Sequence, residues 1–533
     1  MTKERLYIFD TTLRDGAQTH GVDFNVDEKK IIANKLDLLG VDYIEGGWPG
    51  ANATDTTFFN EKLNFTNASF TAFGMTKKAG RSAENDPGLA SLINTNATSV
   101  CVVGKSWDFH VELALEIKLE ENLENIQQSI EFIVKNNKEA HFDAEHFFDG
   151  YKANKEYALK CLQAAADGGA RWIILCDTNG GTLPHEVAEI VSEVIKVIPG
   201  SKLGIHAHND TGNAVANSLT AIHAGVRQVQ GTINGLGERC GNANLVSIIP
   251  TLLLKPYFKD NFDLTISVEN LKLLTDLSRL QDEILNRSSN RNAPYVGASA
   301  FAHKGGLHAS AVNKDPKTYE HIEPSIVGNQ RQIVISEQSG KSNIISRLKS
   351  AGISVNEDDQ SIQKILDRVK EREFTGYTYD GADASFELLV KKVLGQFTEF
   401  FATKSFKINI ENTGDEGSTL SKADVIFVIG GKNVSGSGEG NGPVNALDKA
   451  IRMSFQSSGY ANYVKDLNLI DYKVRILNTG TDAITRVSIE SVDKEGKSWF
   501  TVGVSDNIIE ASFKALIDSV EYKLMKDKAQ PIT

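Results

Sequence analysis

Two histidines separated by one residue are the strongest chemical signal in the chain. His206 and His208 end the apolar run LGIHAH, which has the composition of a buried strand. Alternate residues of a strand point to the same face, so both imidazoles can point at one ligand. Imidazole nitrogens suit Mn²⁺, Zn²⁺ or Fe²⁺, and one added carboxylate would make a two-histidine, one-carboxylate site with open positions. Paired histidines near a strand end are, alternatively, often plain polar surface.

The carboxylate that such a site needs should follow another strand. Asp15 lies in TTLRDG, just after the first apolar run. An Asp-Gly pair is common in plain turns, but a plain turn does not explain the adjacent Arg14, which would stabilise developing negative charge. Asn242, in NGLGERCGNAN, offers a neutral oxygen ligand or, alternatively, a helix cap. The sequence therefore predicts a divalent metal site made by Asp15, His206 and His208, with Asn242 beside it.

The elements that must position these residues alternate regularly along the first half of the chain. Between residues 1 and 265, eight short apolar runs alternate with amphipathic stretches of helical period, which predicts a (β/α)8 TIM barrel. A doubly wound sheet would show the same alternation. Polar residues follow nearly every run, among them Glu45, Glu145 and Thr178. A barrel gathers the carboxyl ends of its strands at one mouth, so this placement favours the barrel.

The remainder of the chain has a different pattern. Residues 266–390 are largely helical with Gly, Pro and Asn breaks, and include helical runs near 341–351 and 358–372. They predict helical subdomains that pack beside the barrel. Residues 391–533 mix strand-like and helical runs and predict a separate α+β domain. The predicted fold class is thus an α/β TIM barrel followed by helical subdomains and a C-terminal α+β domain.

Composition limits the partners. The net charge of −12 argues against nucleic acid or an anionic membrane as the main partner. No apolar run reaches the about 18 residues that a membrane span needs, and the first residues lack a signal-peptide pattern. The four cysteines contain no CxxC pair and are typical of reduced thiols in a cytoplasmic protein.

Three motifs occur in one order: DTTLRDG, HAHND and NGLGERCGNANL. Together they resemble the acyl-CoA-dependent 2-oxo acid synthases of the 2-isopropylmalate synthase/homocitrate synthase family, in the DRE-TIM metallolyase superfamily. The resemblance covers nearly the whole chain. It implies a barrel, helical subdomains that contribute to the active site, and a C-terminal regulatory domain that senses an amino acid and forms a homodimer.

The resemblance also assigns roles to individual residues. The family's metal ligands fall on the four residues already named, its catalytic arginine falls on Arg14, and the glutamate that holds this arginine falls on Glu45, in YIEGG. The family's substrate-facing glutamate falls on Glu145, and its strand-six threonine falls on Thr178. The histidine linked to its catalytic base falls on His308, and the tyrosine that closes its site falls on Tyr319.

Two positions depart from the family pattern. Ala17 stands where the family usually has a glutamate, which removes any role for an acid there. Asp143 stands where other branches have small or aromatic residues, so we expect it to bear on substrate binding and choice.

The resemblance implies substrates and an effector. EGGWPGANATDTTFF and AEHFFDGYKAN are most similar to the branch that condenses acetyl-CoA with pyruvate. That branch implies Mn²⁺ or Mg²⁺, with Zn²⁺ and Co²⁺ also compatible, and isoleucine as feedback effector. The alternative acceptor is 2-oxoisovalerate, as in leucine biosynthesis.

Two other functions are compatible with the same residues but have less support from the sequence. A C–C lyase or aldolase shares the arginine, aspartate and histidine pair, but lyases on this barrel usually lack the extension that carries His308 and Tyr319. A metal-dependent sensor would bind without turnover. In the last domain, GSGEGNGPVNALDKA (436–450) does not have the spacing of a dinucleotide loop, and we expect a glycine loop at an effector site or dimer interface.

Overall fold

The computed structural model of the chain describes residues 3–532 except 286, 288, 304–305, 334–343, 346–347, 349–352, 354–359, 380, 413–418 and 478–482. The chain forms two compact units. The first comprises Met1–Phe301 and Ile322–Arg331, and the second comprises Ala302–His321 and Gln332–Thr533.

A closed barrel of eight parallel strands forms the centre of the first unit. Each strand pairs with the next, and the eighth pairs with the first through Tyr7↔Gln228 to Asp10↔Gly231. This closure confirms the predicted barrel and excludes the doubly wound sheet. The strands, β1 to β8, are Tyr7–Asp10, Tyr43–Gly47, Ser69–Met75, Ser99–Lys105, Glu139–Glu145, Trp172–Asp177, Leu203–Ala207 and Gln228–Gly231.

Amphipathic helices cover the outside of the barrel. In the first of them, the Asn25 side chain accepts a hydrogen bond from the Glu28 amide while the Glu28 carboxylate accepts one from the Asn25 amide. The same helix ends at Gly40, whose φ of 100° is left-handed. The helices α1 to α11 are Val26–Leu39, Ala53–Asn60, Pro87–Ile93, Leu119–Lys135, Phe147–Ala153, Lys155–Asp167, Pro184–Val194, Ala214–Ala224, Leu245–Leu254, Pro256–Asn261 and Leu273–Ile284.

Aromatic side chains fill the amino-terminal end of the barrel interior. The Trp172 indole donates to the Tyr43 hydroxyl at 3.0 Å, and this hydroxyl donates to Glu139 at 2.8 Å. These three residues are the first residues of β6, β2 and β5. Phe9 and Phe73 pack in the same buried cluster. The barrel interior is thus packed at this end, whereas Asp15, His206 and His208 lie at the other end.

The second unit ends in two similar halves, each a three-stranded antiparallel sheet covered by a helix. Strands β9 to β11 form one sheet and β12 to β14 form the other. The strands are Ala402–Asn412, Thr419–Ile429, Lys432–Gly440, Asn468–Ile476, Thr485–Val492 and Ser498–Ser505. The helices α12 to α17 of this unit are Gly306–Lys314, Gln360–Phe374, Asp383–Val393, Pro443–Gln456, Ala461–Val464 and Ile508–Lys526. This arrangement confirms the predicted α+β fold.

The glycine run 436–440 lies in β11, so the predicted loop was wrong. A Cβ at Gly436 would lie 2.2 Å from the Ala450 carbonyl, and one at Gly438 would lie 2.5 Å from the Ala446 carbonyl. The glycines therefore let the backbone of α15 pack directly on the strand.

Two further sequence predictions concern helices. The helical run predicted near 358–372 corresponds to α13, whereas the run near 341–351 lies largely outside the described residues. Within the described ranges, no helix combines the length and the apolar composition that crossing a bilayer requires.

Candidate active site

Asp15 and the two histidines converge at the carboxyl end of the barrel. His206 lies in β7, His208 follows it, and Asp15 follows β1. The Asp15 Oδ2 lies 3.3 Å from the His206 Nε2 and 3.7 Å from the His208 Nε2, and the two Nε2 atoms are 3.3 Å apart. All three side chains are buried, and one ligand atom from each lies within 4.8 Å of the others. The structure thus brings together the three ligands that the sequence predicts.

The atoms at this point fit a cation. Asp15 Oδ1 and Asn242 Oδ1 are buried acceptors that have no hydrogen-bond partner among the described residues. The Asn242 amide donates to the Leu236 carbonyl at 3.0 Å, which leaves its oxygen available, and Asn242 pairs with His208 in an isolated β-bridge. Buried acceptors without partners are costly, and two imidazole nitrogens with carboxylate and amide oxygens are ligands that divalent metals accept.

A glycine makes the close approach of Asn242 possible. Gly237 has a φ of 154°, and a Cβ there would lie 2.1 Å from the side-chain amide nitrogen, Nδ2, of Asn242. Any side chain at this position would displace the Asn242 amide. The glycines of NGLGERCGNAN therefore shape this loop around a candidate ligand.

The charges around the cluster set the protonation of Asp15 and His208 as metal binding needs. Burial alone would raise the pKa of the Asp15 carboxyl, but Arg14 and the histidines hold it well below its usual range. Burial and the neighbouring His206 lower the pKa of His208 to about 4. Burial opposes protonation of His206, but Asp15 outweighs it and raises that pKa. Asp15 is therefore ionised and His208 neutral near neutral pH, as ligands must be.

Arg14 is fixed beside the cluster. Its Nε donates to Glu45 Oε2 at 2.7 Å, an oxygen that also accepts from the Thr11 hydroxyl at 2.6 Å. The guanidinium lies 3.9 Å from the centre of the Phe73 ring and 3.4 Å from Asp15 Oδ2. Burial would lower the pKa of Arg14, but the charges of Glu45 and Asp15 raise it further above its usual value. The guanidinium is a rigid, permanent cation at the barrel mouth.

The other predicted barrel residues also lie at strand ends. Glu145 ends β5 and forms an ion pair with Lys105, at the end of β4. Thr178 follows β6, and its hydroxyl accepts from the His146 amide at 2.8 Å. Asp143 is buried within β5, and its Oδ1 accepts from the Gln230 side-chain amide at 3.2 Å.

Sequence reasoning missed Lys105 and Gln230. Gln230 also contacts His206, where its Oε1 lies 2.9 Å from Nδ1. The available signal was the run VRQVQGT, in which two buried glutamines, Gln228 and Gln230, alternate with apolar residues of β8. Lys105 carries no comparable signal, because a lysine at the end of a strand is ordinary.

His308 and Tyr319 lie in the second unit. Their rings are 4.3 Å apart between centroids and tilted by 34°, and both side chains are exposed. The family resemblance links His308 to the catalytic base and Tyr319 to closure of the site; the two residues are adjacent to each other, and their roles stay predictions.

Comparison with known proteins extends the resemblance. The family model described as HMGL-like matches residues 5–274. A homocitrate synthase post-HMGL domain-like model matches 295–375, and the LeuA allosteric (dimerisation) domain matches 380–524.

Relatives that match along nearly their full length indicate the branch of the family to which the chain belongs. The chain is 51% identical to a protein of Aquifex aeolicus named (R)-citramalate synthase, over 99% of both chains. It is 49% identical to one of the same name from Geobacter sulfurreducens, over 98% of both. A probable 2-isopropylmalate synthase of Methanopyrus kandleri is 32% identical over 97% of this chain and 98% of its own length. The chain therefore belongs to the HMGL-like family, within the branch of the (R)-citramalate synthases.

Proposed function

We propose that the enzyme condenses acetyl-CoA with pyruvate and water to give (R)-citramalate and CoA, in the pyruvate route to 2-oxobutanoate and isoleucine. The observation that carries this proposal is the buried convergence of Asp15, His206 and His208 beside the fixed cation of Arg14. That arrangement suits a substrate with adjacent carboxylate and keto oxygens. The relatives named (R)-citramalate synthase that match along the whole chain support pyruvate as this substrate.

The barrel residues would bind pyruvate and stabilise the charge that develops on it. A divalent cation held by Asp15, His206, His208 and Asn242, with Mn²⁺ or Mg²⁺ favoured over Zn²⁺ or Co²⁺, would supply Lewis-acid polarisation of the keto group. Arg14 donates to the C2 oxygen as it becomes negative, because Glu45 and Phe73 hold the guanidinium in place. Asp143 and Thr178 complete the pyruvate pocket.

Proton transfer would fall to residues at two places in the chain. His308 removes a proton from the acetyl methyl group, and Tyr319 beside it and Glu145 in the barrel assist. The methyl carbon then bonds to C2 of pyruvate, and the C2 oxygen takes up a proton. Water cleaves the thioester, which releases CoA and leaves a carboxylate.

A cavity of 670 Å³ in the first unit supports acyl-CoA as co-substrate. It is lined by segments that follow β2, β3 and β4, so it opens at the same end of the barrel as the candidate metal site. Trp48 on its wall packs edge-on against Phe73, the ring beneath Arg14, with 5.6 Å between centroids. Exposed Lys78 and Arg81 also line it. Apolar walls suit the pantetheine arm, and the two cations suit the phosphates of CoA.

Replacing both Lys78 and Arg81 with alanine should raise the KM for acetyl-CoA about tenfold, since about 1–2 kcal/mol of charge-assisted contact is lost. We expect kcat to stay close to wild type, because neither residue touches the reacting atoms. Initial rates at varied acetyl-CoA measure this change. The control is Lys62→Ala, at an exposed lysine in the loop that leads into the amino-terminal end of β3. An unchanged KM in the double variant would place CoA elsewhere.

The acceptor is tested by CoA release with pyruvate, 2-oxobutanoate, 2-oxoisovalerate and 2-oxoglutarate. We expect pyruvate to have the highest kcat/KM, by about 10- to 200-fold over 2-oxoisovalerate, because each misfitting methyl group in a pocket is worth about 1–3 kcal/mol. A preference for 2-oxoisovalerate would make the protein a 2-isopropylmalate synthase. Release of CoA with none of the four acids would exclude condensation and leave the lyase and the sensor as the alternatives.

We further propose that the region matching the LeuA allosteric (dimerisation) domain forms a homodimer and binds isoleucine as a feedback effector. We place the enzyme in the cytoplasm, which suits its four free cysteines.

A further inference from the structure

Gln230 connects two buried groups that belong to different parts of the candidate site. Its Oε1 lies 2.9 Å from His206 Nδ1, and its Nε2 donates to Asp143 Oδ1 at 3.2 Å. The exposed fractions are 4% for His206, 0% for Gln230 and 3% for Asp143. Water has little access to this chain of contacts, so each group depends on the next for its hydrogen bond.

Only one orientation of the Gln230 amide satisfies both contacts. If the oxygen and nitrogen were exchanged, Oε1 would face the Asp143 carboxylate oxygen, and two acceptors would meet in a buried place. Asp143 therefore fixes which end of the amide points at His206. The end that faces His206 is the carbonyl oxygen, which only accepts.

This orientation determines where His206 carries its proton. Nδ1 must donate to the Gln230 oxygen, so a neutral His206 has its lone pair on Nε2. Nε2 is the atom that faces Asp15 and His208. We infer that Gln230, itself held by Asp143, is a positioning residue that locks His206 in the tautomer and ring orientation needed to bind a divalent cation. This inference rests on the proposed metal site.

The chain provides a matched control in the same strand. Gln228 lies two residues before Gln230, so both side chains point to the same side of β8. Gln228 is also fully buried, but neither of its amide atoms has a hydrogen-bond partner in the described part of the chain. The same substitution at the two positions therefore compares loss of the His206 contact with loss of a buried glutamine alone.

The test is Mn²⁺ binding to the full-length protein, measured by the electron paramagnetic resonance of free Mn²⁺. Gln230→Met should weaken binding about 10- to 100-fold, the usual effect of removing a partner of a metal-binding histidine. Gln228→Met should bind as the wild type does. Gln230→Glu should recover most of the lost affinity, because its carboxylate again accepts from Nδ1.

Thermal unfolding of the metal-free variants separates this role from packing. Gln230→Glu places a second carboxylate beside Asp143, so it should unfold at a lower temperature than Gln230→Met while binding Mn²⁺ more tightly. A purely structural glutamine would give the same order for both measurements. This pair also keeps the test decisive if one variant is poorly stable.

Each result has a distinct meaning. If the wild type does not bind Mn²⁺, Mg²⁺, Zn²⁺ or Co²⁺, the proposed metal site fails. If the wild type binds metal and Gln230→Met binds Mn²⁺ equally well, the metal site stands and the role of Gln230 is overturned. The same conclusion follows if Gln228→Met loses as much Mn²⁺ affinity as Gln230→Met. A Gln230→Glu variant that binds no better than Gln230→Met would also overturn it.

Discussion

Replacing Asp15 with asparagine is expected to lower kcat at least about 1,000-fold and to remove high-affinity Mn²⁺ binding. Asparagine keeps the shape of the side chain but not the charge that faces His206 and His208. Lewis-acid stabilisation by a bound cation is worth several kcal/mol, and about 1.4 kcal/mol changes a rate tenfold. Steady-state kinetics and Mn²⁺ titration of the same preparation measure the two effects together.

Two comparisons make this result specific. Asp210→Asn changes a carboxylate in the same HAHND segment, but Asp210 pairs with Arg239 at 2.8 Å, so its kcat should stay near wild type. Wild-type enzyme stripped by a chelator should lose activity in the same proportion as Asp15→Asn, and added Mn²⁺ should restore it. If the Asp15→Asn enzyme retained wild-type turnover, or the chelated enzyme remained active, the reaction would not depend on a metal bound at this site.

The barrel and the cluster of Asp15, His206 and His208 were predictable from sequence for one physical reason. Strand ends in a parallel barrel meet at one mouth, so residues that follow β1 and β7 are neighbours although nearly 200 positions separate them. The spacing of His206 and His208 fixes their common face, and closure of the sheet brings Asp15 to them. The family resemblance supplied Glu45 as the partner of Arg14, and the structure shows that contact.

The features that the sequence did not predict depend on contacts between strands, and such contacts leave no local pattern in the sequence. Gln230, on β8, contacts His206 on β7 and Asp143 on β5, and no spacing along the chain encodes that arrangement. The glycine run in β11 misled for a related reason. Its glycine content is typical of a loop, but the glycines are required because helix α15 packs against the strand backbone.

The Arg14→Lys variant should retain the fold and Mn²⁺ binding but lower kcat about 100- to 1,000-fold, the usual effect of losing one preorganised donor to a developing oxyanion. Lysine keeps the positive charge that Glu45 and Asp15 require, so neither carboxylate is left without a counter-ion. It cannot pair with Glu45, stack on Phe73 and donate to substrate at once, because it lacks the planar guanidinium.

Arg171→Lys is the matched control for this variant. Arg171 also stacks on an aromatic ring, Trp172, at 3.8 Å, but it precedes β6 and so lies at the amino-terminal end of the barrel. Its replacement changes the same cation–π geometry away from the mouth, and kcat should stay near wild type. If Arg14→Lys turned over within tenfold of wild type while Mn²⁺ binding was intact, a positive charge alone would suffice and the geometry of the guanidinium would have no part in stabilising the C2 oxygen. If both variants lost activity equally, general weakening of the barrel would explain the loss.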